Sequence, residues 1–158
     1  MRQMLSKHFS YSELTKTSTG LRNVPNDLQL ANLYLLALSL ESIRAAVGNR
    51  PIVVTSAFRS PAVNRQSGGV PNSAHLSGLA ADIYCPGISS LELITAAKSS
   101  LLRFDQLILE GDIVHVGLAL HPKSDPRQIS ILAGRRQVLS RRASSRRPGQ
   151  WEYLPLAV

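Results

Sequence analysis

The chain has 158 residues, enough for one buried core but too few for two full domains. With 44% hydrophobic and 18% charged residues it lies near the globular average, which argues against a disordered, collagen-like or disulfide-dense polypeptide. Aromatics make up only 5%, so Leu, Ile, Val and Ala must build the core, and a formal charge of +8 points toward polyanionic partners.

Residues 1–8 include polar residues where a signal peptide would need its apolar stretch, and no apolar run reaches membrane-spanning length. The expectation is synthesis in the cytoplasm without a signal peptide and with no membrane span. Cys85 is the single cysteine, so no intramolecular disulfide forms, and a buried structural thiol is the reading preferred over a nucleophile or metal contact.

Ser10 and Glu13 have the spacing of a capping box and open a short helix. Pro25, Asn26 and Asp27 supply a turn and cap for the strongest helix, ending at Gly48 and Asn49. Leu28, Leu35, Leu36, Ile43 and Val47 recur near helical spacing, and Leu30, Leu33, Leu38 and Leu40 make it apolar on more than one face, so it is expected to pack centrally.

The β-branched run 52–55 reads as a buried strand, and 60–72, rich in Gly, Pro, Ser and Asn, as a long loop. A second strand covers 79–84. Ser89 and Glu92 cap a helix to about residue 102, and strands 106–109 and 113–118 form a hairpin turning through Gly111 and Asp112. This order predicts an α+β fold, an antiparallel β-sheet core with flanking helices.

Arginines 135, 136, 141, 142, 146 and 147 crowd the C-terminal stretch; residues 134–158 also hold Glu152, so the remainder of the chain carries only +3. The expected division is a domain over 1–133 and a basic Arg-rich tail over 134–158. A solvated charge run is the slightly preferred reading, and the alternative is that the paired arginines neutralise phosphates or wall anions, making nucleic acid or an anionic wall polymer a partner for the tail. Trp151, Tyr153 and Leu154 are placed to dock the tail's end on the domain.

His75 and Asp82 flank Gly78 at the start of a predicted strand, and His115 lies on another. Two imidazoles and a carboxylate suit zinc, because catalytic zinc sites take three protein ligands and keep a fourth position open. Singly, each residue is more readily a hydrogen-bonded structural side chain than a ligand.

The surrounding text is more specific. The run from Thr55 through Phe58, Arg59 and Asn64, followed by Ser73, His75, Gly78, Ala80 and Asp82 in the pattern Ser-x-His-x-x-Gly-x-Ala-x-Asp, resembles the VanY-like zinc D-Ala-D-Ala carboxypeptidase family of peptidoglycan peptidases. The opening from His8 to Pro25 is similar to that of the family's small phage-type members, and the likeness extends through Phe104-Asp105-Gln106-Leu107-Ile108 to Val114-His115-Val116. It implies a Hedgehog/DD-peptidase-like fold and zinc held by His75, Asp82 and His115.

The resemblance further implies that Asp112, three residues before the last histidine, is the catalytic carboxylate. Glu110 is the nearby competitor. Arg59 is implied to bind substrate oxygens and stabilise the oxyanion, a role suited to an always-charged fork of donors, or else to pair with Asp82. Ser73 belongs to the substrate-binding wall or stabilises a turn. The implied activity is zinc-dependent hydrolysis of a bond in the peptidoglycan peptide, as a carboxypeptidase or endopeptidase.

The chain departs from the family at Ile113, where an aromatic residue is usual, and at Phe58, where Tyr is commoner. Ile113 motivates the alternative of a non-catalytic peptidoglycan-binding or virion structural module that keeps fold and metal. His8 and His121 match no ligand position. Phage or prophage origin is expected from the resemblance, with the protein released beside a lysis partner or carried in a phage particle.

Overall fold

The computed structural model describes residues 3–101, 104–119, 136–145 and 149–158. His121, Arg135, Arg146, Arg147 and the expected boundary at 133/134 lie outside the described residues.

Helices start where side chains satisfy the first free amides. Ser10 caps α1 (Tyr11–Leu14), accepting from the Glu13 amide. Asn26 and Gln29 form a reciprocal capping box on α2 (Asp27–Ala46), and Ser89 and Glu92 do the same for α4 (Ser90–Ser100). The segment expected as a loop over 60–72 contains α3 (Pro61–Gln66): Ser60 accepts from the Val63 amide and Pro61 stands in the first turn, where its missing N–H costs nothing.

Six strands form one sheet in the order β1 (Val53–Ser56), β2 (Ala80–Tyr84), β4 (Ile113–Gly117), β3 (Gln106–Glu110), β5 (Gln137–Ala143) and β6 (Trp151–Pro155). The first four pair antiparallel, but β5 runs parallel to β3, so this α+β sheet is mixed where an antiparallel one was expected. β5 and β6, which fall in the segment read as a basic tail, are therefore part of the sheet. Leu107 lies opposite Val138 and Leu109 opposite Ser140, while Leu156 and Val158 pack against the main core.

One sheet face, with Ile83, Leu107, Val114 and Val116, packs with Leu33, Leu36, Leu40 and Ile43 of α2 and Leu93, Ile94 and Ala97 of α4 in a single core. α2 buries only one face: Leu28 and Leu38 are exposed, contrary to the expected central position. The sheet's strand-by-strand alternation leaves a second face, and that face carries Asp82, His115 and Glu110.

Candidate metal centre

Directly paired residues in adjacent strands project from the same side of a sheet. Asp82 on β2 lies opposite His115 on β4, which lies opposite Ile108 on β3, so the carboxylate and imidazole share a face by register alone. A β-bulge between Val54 and Ser56 shifts β1 so that Ser56 stands opposite Asp82.

His75 arrives from the 3-10 turn Ala74–Ser77, whose N-cap is Ser73; the Ser73 hydroxyl accepts from the His75 amide at 3.4 Å. α2 holds this turn from behind, the Gln29 and Asn32 side-chain amides donating to the carbonyls of Leu76 and Ser77, both at 2.8 Å. Gly78 closes the turn at φ 72°, and a Cβ there would stand 2.7 Å from the Gln29 carbonyl oxygen. The glycine of the motif thus permits both a left-handed turn end and close approach to α2.

The three side chains converge. Asp82 Oδ1 lies 2.8 Å from His115 Nδ1 and 3.3 Å from His75 Nε2, and one ligand atom from each residue falls within 4.8 Å of the others. His75 Nδ1 is 2.6 Å from the Ala57 carbonyl, so it carries the proton and Nε2 presents its lone pair to the cluster. Burial would push the Asp82 carboxyl up, but its hydrogen bonds with His115 and His75 and their charge outweigh burial and hold it well below the usual carboxylate range. An ionised carboxylate beside two imidazole nitrogens, with a second partner already on one ring, is a donor set that fits a divalent metal.

Arg59 binds the far side of the carboxylate: Nη2 donates to Asp82 Oδ2 at 2.6 Å and Nε to Ser56 Oγ at 2.8 Å. The pairing with Asp82, weighed as the alternative from sequence, is present. Asn23 steadies this loop, donating to the carbonyls of Thr15 and Phe58 and accepting from the Ser60 amide. Phe58 is fully buried and belongs to the core.

The two acidic candidates separate. Asp112 is exposed in the two-residue turn between β3 and β4. Glu110 ends β3 opposite Ile113, and Ile113 shares its strand face with His115, so Glu110 stands on the side of the metal cluster. Burial pushes the Glu110 carboxyl up; Arg141 pulls it down, Asp82 adds to the rise, and His115 and His75 oppose it, leaving the net shift upward. Asn23, Gln29 and Asn32 were not picked out from sequence as site residues, although Asn32, a lone amide within the apolar stripe of α2, was a readable signal.

Cys85 is buried, and burial pushes its thiol up, consistent with a structural role. His8 pairs with Glu41 at 2.7 Å, far from ligand duty. Among the described residues no helix is long and apolar enough to cross a membrane.

A histidine–aspartate–histidine centre on one face of an α+β sheet is the arrangement of a metal-dependent hydrolase. The profile of the Peptidase M15 family matches residues 7–117, and the chain belongs to that family. It is 32% identical over 94 residues to the zinc D-Ala-D-Ala carboxypeptidase of Streptomyces albus G, an alignment covering 58% of this chain and 37% of the relative. The aligned part is thus little more than a third of that protein. The family match stops at the end of β4, so β5 and β6 lie beyond it.

Proposed function

We propose that this chain is a zinc-dependent peptidase that hydrolyses a peptide bond in the stem peptide or cross-link of peptidoglycan. The observation that carries the reading is the convergence of His75, Asp82 and His115, with Arg59 on the carboxylate and Glu110 on the same sheet face. His75 through Nε2, Asp82 through its carboxylate and His115 through Nδ1 would hold the ion. Zinc supplies, when bound, a Lewis acid that polarises a carbonyl and lowers the pKa of water toward neutrality.

The chain's own residues divide the remaining work. Glu110 takes a proton from the attacking water as oxygen adds to the carbonyl carbon, then returns it to the amine nitrogen as the C–N bond breaks. A carboxyl raised above its ordinary value holds and releases that proton more readily near neutral pH than an unperturbed one. Arg59 orients the Asp82 carboxylate; among the described residues two of its five N–H donors are engaged, and the others would serve substrate oxygens. Ser73 sets the His75 turn. Asp112, favoured by its spacing to His115, is placed second because it is exposed in the turn.

The small phage-type resemblance of the opening segment supports phage or prophage encoding, with delivery to the wall after release or in a particle. The deciding experiment measures zinc per chain and amine release from intact peptidoglycan and from a D-Ala-D-Ala stem peptide, for the parent protein, Glu110→Gln and Asp112→Asn. Expected are about one zinc per chain in all three, a loss of about 10²–10⁴-fold in Glu110→Gln, and activity within a few-fold of the parent in Asp112→Asn. The reverse pattern returns the role to Asp112. Zinc without product from either substrate favours a non-catalytic wall-binding module, for which Ile113 is the motivating difference.

A further inference from the structure

The C-terminal hairpin is added to the sheet beside the candidate base. β5 runs parallel to β3 with Leu109 opposite Ser140, which brings Arg141 abreast of Glu110. Arg141 Nη2 lies 3.1 Å from Glu110 Oε2, with the carboxylate 15% and the guanidinium 31% exposed. The guanidinium carbon also sits 4.5 Å from the ring centroid of Trp151, itself 57% exposed on β6. β5–β6 pairing sets Arg141 opposite Tyr153 and Ala143 opposite Trp151, so Arg141 and both aromatics share one face of the hairpin. The neighbouring Arg142 alternates to the other face and pairs with Glu152 at 3.4 Å. Of these two adjacent arginines, strand alternation sends one to the candidate site and the other away from it.

We infer that Arg141 is a positioning residue for Glu110, supplied by a hairpin outside the family-matched segment and held by its cation–π contact with Trp151. This rests on the reading of Glu110 as the proton carrier. A planar guanidinium already held over an indole loses little freedom when it binds a carboxylate, so it fixes the carboxylate's orientation as well as its charge. The pair is mostly buried, so thermal stability is measured beside the reaction to separate positioning from a merely structural role. Among the described residues, Asp82, His115 and His75 are the other charged or titratable groups that Glu110 feels, and none of them lies on the hairpin.

The test compares Arg141→Gln, Arg141→Lys, Trp151→Leu, Glu110→Gln and the double variant Arg141→Gln/Glu110→Gln in the full-length, zinc-loaded protein. The readouts are zinc per chain, thermal stability, kcat and KM on the stem peptide, the pH–rate profile, and the carbon-13 NMR titration of the Glu110 carboxyl. Arg141→Gln should keep its zinc and KM, lose between about tenfold and about a hundredfold in kcat, and move both the acid limb and the Glu110 titration up by about one pH unit. Arg141→Lys should restore the titration more fully than kcat, because charge returns without the fork. Trp151→Leu should move the same way by less, and the double variant should be no slower than Glu110→Gln alone.

Arg141→Gln with unchanged kcat and an unmoved Glu110 titration overturns the inference while leaving the base assignment intact. An equal further loss from Arg141→Gln in the Glu110→Gln background also overturns it, since Arg141 would then act elsewhere. Full activity in Glu110→Gln instead removes the reading on which the inference stands.

Discussion

Replacing Gly78 with alanine probes the joint between α2 and the turn that delivers His75. Gly78 is at φ 72°, where an L-residue pays about 1–2 kcal/mol. Its Cβ would also stand 2.7 Å from the Gln29 backbone oxygen and 3.2 Å from Leu33 Cγ. A helix carbonyl cannot rotate aside as a side chain does, so the turn must move. That movement strains the 2.8 Å bonds from Gln29 to the Leu76 carbonyl and from Asn32 to the Ser77 carbonyl, each worth about 1 kcal/mol. The expected cost is about 3–4 kcal/mol, or about 6–16 °C in Tm for a chain of this size. Gly111 is the internal control: its φ of 64° is similar, but a Cβ there meets nothing within 4 Å. Gly111→Ala should therefore lose only the backbone contribution, about 1–2 kcal/mol. Thermal melts of the two chelated variants, followed by circular dichroism, isolate the packing contribution. If they melt within about 2 °C of one another, the close approach of α2 to the turn is not what requires glycine at 78.

Three other perturbations have calculable outcomes. Asn32→Leu removes the donor to the Ser77 carbonyl from a site only 5% exposed, so chelated protein should lose about 1–3 kcal/mol in a urea titration and zinc should bind more weakly. Burial would raise the Glu41 carboxyl, but contacts from Ser6 and His8 hold it below its ordinary 4.5; this contribution is present above that value and is lost as pH falls through the lower folded value. Glu41→Gln should therefore flatten the loss of stability with acid below about pH 4.5 in urea titrations, and an unchanged slope would count against the contact. Chelation of zinc should lower Tm without unfolding the chain, since Arg59 and the two histidines still bind Asp82; restoring free zinc to about 100 times its Kd should return about 2.7 kcal/mol.

Much of the architecture was written locally. Asn26 with Gln29 and Ser89 with Glu92 mark their helix starts because a cap is satisfied within four residues, and the run around Val53 and Val54 marks a strand for steric reasons. The missed elements lacked such plain signals. The Ser60–Pro61 cap of α3 was hidden in a composition suited to loops, and β5 was read as a charge run because arginines occupy two of its seven positions. Its alternation is real but needs a partner to be visible: Val138 faces the core only because β3 presents Leu107 beside it. Parallel pairing across an intervening stretch of chain leaves no local mark. The buried face of α2 likewise depends on where the sheet lies, which decides that Leu36 is covered and Leu38 is not.

The metal set was the most legible part, since His75, Gly78 and Asp82 fall within one short motif, whereas the candidate base required geometry. Counting back three residues from His115 reaches Asp112, but strand side chains repeat every two residues, and position 112 is out of phase with 115. Ile113 is in phase. Across the two-residue turn Ile113 faces Glu110, so the carboxylate five residues before His115 stands on the metal side while the one three residues before it occupies the exposed turn. A similar argument selects Arg141 over Arg142 on β5, where one step in phase separates a contact with Glu110 from a pairing with Glu152. Both assignments therefore stand or fall on the registers of β3–β4 and β3–β5. A one-residue slip in either would exchange the proposed proton carrier or its positioning partner for a neighbour that faces the wrong side.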